Sequence, residues 1–233
     1  MKCVILQPFY IPWRGYFHQI QKADVFIFFD DVQYEKRGWC NRNRIKTANG
    51  TRWLSIPVLN KDSIVQNIPI NEIEIDKSQS IWREKHWKTL RQSYGKAPYF
   101  SRYEQLLTDF YERDDKFLSE LTIDLTIALA RELGIEKTQF RRASEFAANG
   151  VKTDRLLFLL NKIGATRYIT GAAAKDYIEE EKFAEAGIEL EYMTYDYPEY
   201  DQFYPPFDGR VSILDTLFMK GNAAGKYIWN ADK

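Results

Sequence analysis

The sequence predicts an α/β fold, a Rossmann-like parallel sheet carrying a β-hairpin and a helical insert. Three observations carry that prediction. An apolar run over Lys2–Leu6, a helix-spaced segment and a second apolar run over Asp24–Phe29 open the chain as strand, helix and strand, the start of a parallel βαβ unit. Two alternating stretches flank Ala48-Asn49-Gly50, and Asn-Gly between alternating runs is a strong hairpin signal. From Ser80 to about Gly134 the apolar spacing turns helical.

Taken in order, Lys2–Leu6 reads as a short buried strand stopped by Gln7-Pro8 and a loop to Pro12. Gly15–Ala23 places Tyr16, Phe17 and Ile20 at helical spacing, and Asp24–Phe29 ends at the paired acids Asp30 and Asp31. Trp39–Thr47 and Thr51–Val58 form the expected hairpin. Trp82, Trp87, Leu90 and Tyr94 mark one helix; Tyr103, Leu106, Leu107, Phe110 and Tyr111 mark a second. Leu118–Leu133 is a third, closing at Gly134. Residues 80–134 are therefore expected to form a helical insert or subdomain within a single α/β domain spanning 1–233. Alternation then resumes. Thr138–Arg142 is a strand, Thr153 an expected N-cap, Leu156–Ile163 its helix and Gly164 its stop. Arg167–Thr170 is a strand, Lys182–Ala186 a helix, Ile188–Thr194 a strand and Ser212–Met219 a short amphipathic helix.

At 233 residues, with 33 Lys plus Arg against 33 Asp plus Glu, the chain can bury a full core and carries no net charge. Balanced charge argues against wholesale binding to nucleic acid or anionic membranes. No stretch approaches the ~18 apolar residues of a membrane span, and the five apolar residues before Gln7-Pro8 are too few for a signal peptide. Cys3 and Cys40 lack the spacing of a metal knuckle, so no metal site is expected, and a cytoplasmic location fits. The unusual quantity is aromatic content, with 15 Tyr, 15 Phe and 6 Trp, crowded beside polar residues near the N-terminus.

Four segments could carry chemistry. In the first, Gln7, Tyr10, Trp13, Arg14, Gly15 and Tyr16 lie where the first strand hands over to the first helix. A helix start there favours anions, and the aromatic rings offer faces to a base or sugar. A rigid loop packed by aromatics is the alternative. In the second, Asp30 and Asp31 close a buried strand and lead into Gln33, Tyr34 and Lys36. Such acids can orient an amine or Mg²⁺, or serve as a general base; a solvated turn would also explain them.

In the third, Asn41-Arg42-Asn43-Arg44-Ile45-Lys46 alternates along a strand, so Arg42, Arg44 and Lys46 share one face. A row of cations suits a diphosphate, and equally a solvated edge. In the fourth, Thr170, Gly171 and Lys175 belong to a small-residue turn after a strand, either a phosphate cradle or simply a tight turn. His18 falls in the first helix, where it could face the site, and His86 between two tryptophans is expected to be structural. Two histidines form no visible cluster or triad.

The ordered set Gln7-Pro8-Phe9-Tyr10-Ile11-Pro12-Trp13-Arg14-Gly15-Tyr16-Phe17, Ala23-Asp24-Val25-Phe26-Ile27, Asp31-Val32-Gln33-Tyr34, Asn41-Arg42-Asn43-Arg44-Ile45-Lys46 and Trp53-Leu54-Ser55-Ile56-Pro57-Val58 resembles the WbqC-like protein family. Lys152-Thr153-Asp154-Arg155-Leu156, Tyr168-Ile169-Thr170-Gly171 and Asp196-Tyr197-Pro198-Glu199-Tyr200 continue the resemblance. It implies a bacterial cytosolic enzyme of O-antigen (lipopolysaccharide) or other surface-polysaccharide biosynthesis, acting on a nucleotide-linked sugar. The order of elements is also similar to the nucleotidylyltransferase superfamily that includes pantothenate synthetase. Those enzymes carry His-x-Gly-His where this chain has Trp13-Arg14-Gly15-Tyr16. That departure argues against ATP-dependent adenylyl transfer and leaves Arg14 as a substitute cation.

The combined expectation is a transferase that acylates or aminoacylates an amino group on a nucleotide-activated sugar. Arg42, Arg44 and Lys46 would hold diphosphate, Tyr10, Trp13 and Tyr16 the sugar, and Asp30 or Asp31 would take the amine proton. An amino acid activated by ATP would add Mg²⁺ to the requirements; a charged tRNA is the nucleic-acid donor left open. A glycosyltransferase and a non-catalytic sugar-nucleotide binding protein are the alternative readings.

Overall fold

The computed structural model describes residues 1–59 and 67–229. Five strands form one parallel sheet: β1 (Lys2–Leu6), β2 (Val25–Phe28), β5 (Gln139–Arg142), β6 (Arg167–Gly171) and β7 (Glu189–Met193). Their spatial order is β5-β2-β1-β6-β7. Chain order moves outward from β1 to β2 and β5, then restarts on the other side of β1 with β6 and β7. The direction of winding therefore reverses between β1 and β6, and in open parallel sheets ligands bind beyond the carboxyl ends of the strands at such a reversal. The α/β expectation holds. β3 (Arg42–Thr47) and β4 (Gly50–Ser55) make a separate antiparallel hairpin.

The sheet is covered on both sides, as the continuous apolar runs of β1 and β2 require. Strand alternation sends Val4 to one core together with Phe26, Phe28 and Ile169. Tyr16, Phe17 and Ile20 of α1 (Arg14–Lys22) pack there. So do α2 (Trp82–Tyr94), α3 (Phe100–Glu112), α4 (Leu118–Glu132) and α7 (Ile213–Lys220). Cys3, Ile5, Val25 and Ile27 point the other way, against Leu156, Leu159 and Leu160 of α5 (Lys152–Ile163) and Phe183 of α6 (Glu180–Glu185). Among the described residues no helix is long and apolar enough to cross a membrane.

Several local expectations shift. The hairpin strands are shorter than Trp39–Thr47 and Thr51–Val58, because Thr47 already pairs with Gly50 and the ladder ends at Arg42–Ser55. Gly50 sits at φ +93°, a conformation that costs glycine nothing and would strain a residue with a Cβ. Thr153 is not an N-cap. Val151 occupies that place with no side-chain bond, and Thr153 lies one residue inside α5, where its hydroxyl accepts from the Glu179 N–H at 3.1 Å. Gly164 does end α5, at φ +68°, and Ser212 does cap α7, its hydroxyl accepting from the Leu214 N–H at 3.2 Å. Residues 172–176, expected as a turn, wind into a 3-10 stretch.

α1 is buried nearly all round, which its amphipathic spacing does not foretell. The segment from Tyr195 to Trp229 covers it: the Arg14 guanidinium donates to the carbonyls of Pro198 (2.9 Å) and Tyr227 (3.2 Å), and His18 Nδ1 lies 3.0 Å from the Tyr197 hydroxyl. Arg14 also stacks on the Tyr197 ring at 4.8 Å, so the charge is neutralised by ring faces and backbone dipoles as well as by more distant acids.

Candidate functional site

Two recesses open at the carboxyl edge of the sheet, one on each face. The first, a cleft of about 360 Å³, is walled by Ile5, Phe29, Asp31, Gln33, Lys152, Arg155, Tyr168 and Tyr177, among others. It lies on the α5 side, where Ile5 and Tyr168 belong to the core. The second, of about 300 Å³, is lined by Phe9, Trp13, Trp39, Asn43, Arg44 and Arg210. It lies on the opposite side, where Phe9 and Trp13 pack against the other core.

β2 delivers the paired acids, and adjacent residues of an extended chain point to opposite sides. Asp30 turns inward and is fully buried. Its Oδ1 accepts from the Ser144 N–H at 3.0 Å and its Oδ2 from the Ser144 hydroxyl at 2.8 Å. Burial pushes its carboxyl above the usual range, with the Ser144 bonds acting against that rise. Asp31 turns to the cleft. It accepts from Arg155 Nη2 at 2.6 Å, while Asp31 Oδ1 and Arg155 Nε are buried with no hydrogen-bond partner. A buried polar atom left unsatisfied costs about 1–3 kcal/mol, so the pair is an incomplete constellation that a polar ligand would complete.

The remaining wall is strained. Lys152, the first residue of α5, sits at φ +50°, a left-handed conformation costing about 1–3 kcal/mol for a residue with a side chain. Lys152 and Arg155, two cations, both line the cleft in the first turn of α5, where a helix N-terminus already favours anions. Gln33 is exposed and lines the same cleft.

In the second recess, the Trp13 indole lies so close to Gly15 that a Cβ there would fall 2.3 Å from the ring. The close approach that Gly15 permits is thus to an indole. Trp13 also meets the Tyr195 ring at 5.1 Å, and the Tyr195 hydroxyl would lie 3.1 Å from a Cβ on Gly171. Trp39 leans on Trp53 at 5.4 Å, and the Arg42 guanidinium covers Trp53 at 4.4 Å.

The other candidate residues are distributed as follows. Arg42 donates to the carbonyls of Gly38 (3.3 Å) and Arg37. Arg44 Nη2 donates to the Arg210 carbonyl at 2.9 Å, and Lys46 Nζ to that of Pro206. The three cations share a strand face, but that face is turned to carbonyls of other loops, and only Arg44 lines a recess. Asn41 Nδ2 bonds the Ile56 carbonyl at 2.8 Å, and Asn43 Nδ2 those of Tyr10 (3.1 Å) and Ile11 (2.9 Å). Tyr10 is buried in the helical layer, its hydroxyl 3.0 Å from His86 Nδ1 and 2.6 Å from the Tyr111 hydroxyl. The Tyr16 hydroxyl holds the Gln7 carbonyl at 2.9 Å. Tyr34 is buried and Lys36 exposed; Thr170 is buried, and Lys175 Nζ sits over the Tyr192 ring at 4.8 Å. Among the described residues no group of three or more His, Cys, Asp or Glu side chains gathers.

Sequence reasoning missed Arg155, Lys152, Tyr177, Trp39 and Arg210 as wall residues. Arg155 had a readable signal: a cation in the first turn of a helix opposes the helix dipole and needs an acid to offset it. It also missed Asp215, fully buried on α7, which accepts from the Tyr200 hydroxyl (2.7 Å), the Tyr94 hydroxyl (2.8 Å) and Gln202 Nε2 (2.9 Å). A lone acid inside the apolar run Ile213–Phe218 signals such a network. Burial raises the Asp215 carboxyl, against the pull of these donors and of Lys46. The network ties α2, α7 and the strand bearing Arg44 to the segment that supplies Arg210.

The WbqC-like protein family model matches residues 7–227. An uncharacterised protein of Mycobacterium tuberculosis (strain ATCC 25618 / H37Rv), Rv1507c, is 39% identical over 229 residues, covering 97% of each chain. No solved structure matches the chain. The chain belongs to the WbqC-like protein family.

Proposed function

We propose that this WbqC-like protein is a transferase that modifies a nucleotide-linked sugar for surface-polysaccharide (O-antigen) biosynthesis, acylating or aminoacylating an amino group on the sugar. The observation that carries the reading is the Asp31–Arg155 pair in the carboxyl-edge cleft, with one oxygen and one guanidinium nitrogen unpartnered. Asp31 is the base in this scheme, because both oxygens of Asp30 are engaged by Ser144. The sugar amine attacks the carbonyl carbon of an activated acyl ester or thioester. The new C–N bond forms, the bond to the leaving group breaks, and the amine proton passes to Asp31 Oδ1. Arg155, Lys152 and the start of α5 supply positive potential for the sugar-side phosphate of the substrate.

A thermal-shift panel tests the reading, using nucleotide-linked amino sugars, nucleoside diphosphates and ATP with Mg²⁺. A ligand held at about 100 times its Kd stabilises by about 2.7 kcal/mol, or about 5–10 °C in Tm for a chain of this size. A rise with nucleotide-linked amino sugars supports the reading. A rise with ATP–Mg²⁺ alone would redirect it to adenylyl transfer, and silence from every sugar nucleotide would defeat it.

A further inference from the structure

The recess on the opposite face of the sheet has its own chemistry. Three aromatic side chains, Phe9, Trp13 and Trp39, wall it, two guanidinium groups, Arg44 and Arg210, stand with them, and no acid is among its lining residues. Arg44 Nε is buried and has no hydrogen-bond partner. Arg210 is ion-paired with Asp208, its Nε 3.7 Å from the carboxylate, and its side chain is otherwise 83% exposed. Asn43, the remaining wall residue, has its amide spent: Nδ2 donates to the carbonyls of Tyr10 and Ile11, and Oδ1 accepts from the Arg44 N–H at 2.8 Å.

Flat aromatic walls beside guanidinium groups that keep unpaired N–H donors, here Arg44 Nε, recognise a planar ring that carries an anion. At about 300 Å³ the space is at the small end of ligand pockets, room for a base and its nearest phosphate but not for a sugar nucleotide entire. Only three residues of chain separate Ile5, in the wall of the cleft, from Phe9, in the wall of this recess. Their Cα atoms are therefore at most about 14 Å apart, a span within the length of an extended nucleotide-linked sugar.

We propose that the Phe9–Trp13–Trp39 recess is a nucleotide subsite, in which a nucleobase stacks on the indoles and its phosphate is held by Arg44 and Arg210. The proposal rests on the transferase reading only in joining this nucleotide to the sugar in the cleft. With Asn43 engaged, recognition is of the ring face and the charge, so uridine and adenosine monophosphates bind alike.

The test is a calorimetric titration of the full chain with UMP, AMP, uridine and inorganic phosphate, repeated on Trp39→Ala, Arg210→Gln and Asp31→Asn. Trp39 is 41% exposed and the Arg210 side chain 83% exposed, so both variants keep the fold, checked by an unchanged Tm. UMP and AMP are expected to bind saturably, with uridine and phosphate at least about tenfold weaker. Trp39→Ala and Arg210→Gln should each weaken UMP by about tenfold, and Asp31→Asn by less than about twofold. Absence of UMP binding overturns the proposal, as does UMP binding that both recess variants leave unchanged. Loss of UMP binding in Asp31→Asn also overturns it, placing the nucleotide in the cleft. UMP binding that follows this pattern without any turnover would remove the transferase reading and leave the subsite standing.

Discussion

His86 should make the protein acid-sensitive, and the size of the effect follows from its surroundings. The ring is 7% exposed, packed against Trp82 at 5.2 Å and Tyr10 at 5.8 Å. The Ser55 N–H donates to Nε2 at 3.1 Å, which places the ring proton on Nδ1, toward the Tyr10 hydroxyl. A second proton on Nε2 would face a donor with no water to replace it. Burial, with some help from Arg52, pushes the imidazole down from 6.5 to about 4. In the folded state His86 therefore stays neutral while the unfolded chain takes up a proton below about pH 6.5. The stability tied to the neutral ring is complete above that pH and is lost as pH falls toward 4. By pH 4 the loss reaches about 3 kcal/mol, of which about 2 kcal/mol is gone by pH 5. Urea unfolding at pH 7.5 and pH 5 on the wild type and on His86→Gln isolates the contribution, since the carboxylates titrate in both. The wild type should lose about 2 kcal/mol more than the variant. Equal losses, within about 0.5 kcal/mol, would refute the placement of a neutral His86 between Ser55 and Tyr10.

Two substitutions probe the walls of the second recess. Gly15→Ala puts a methyl group 2.3 Å from the Trp13 ring; the indole must move, and denaturant unfolding should show a loss of about 1–3 kcal/mol together with a changed near-ultraviolet circular dichroism. Asp215→Ala removes the acceptor of the buried Tyr94 hydroxyl, while the Tyr200 hydroxyl keeps Thr216 Oγ1 at 2.8 Å, and should destabilise by about 1–3 kcal/mol; no measurable loss in the same experiment would mean that the network is not closed.

Strands β1 and β2 were legible because each is a short apolar run ended by a polar residue, and the hairpin because Asn49-Gly50 admits few alternatives. The faces of β3 were legible too, but not what covers them. Period-two alternation puts Arg42, Arg44 and Lys46 together, yet the carbonyls of Arg210 and Pro206 that meet Arg44 and Lys46 arrive from a segment more than 150 residues later, with no periodic pattern. Tyr10 illustrates the same limit: its partners His86 and Tyr111 lie on α2 and α3, and no local rule joins them to the first loop. Adjacency announced that Asp30 and Asp31 diverge; only Ser144 on one side and Arg155 on the other decide which faces inward. Thr153 misled because its hydroxyl is taken by Glu179, a partner outside its own helix.

Turnover by Asp31→Asn is the most direct measurement of the central claim. Wild type and variant are given nucleotide-linked amino sugars with acyl thioesters or aminoacyl-tRNA, and the acylated sugar nucleotide is followed by mass spectrometry. A general base contributes about 10²–10⁴ to rate, so the account predicts product from the wild type and a fall in kcat of at least about 100-fold in the variant, with little change in KM. Equal turnover by the two proteins, or a change confined to KM, would contradict it.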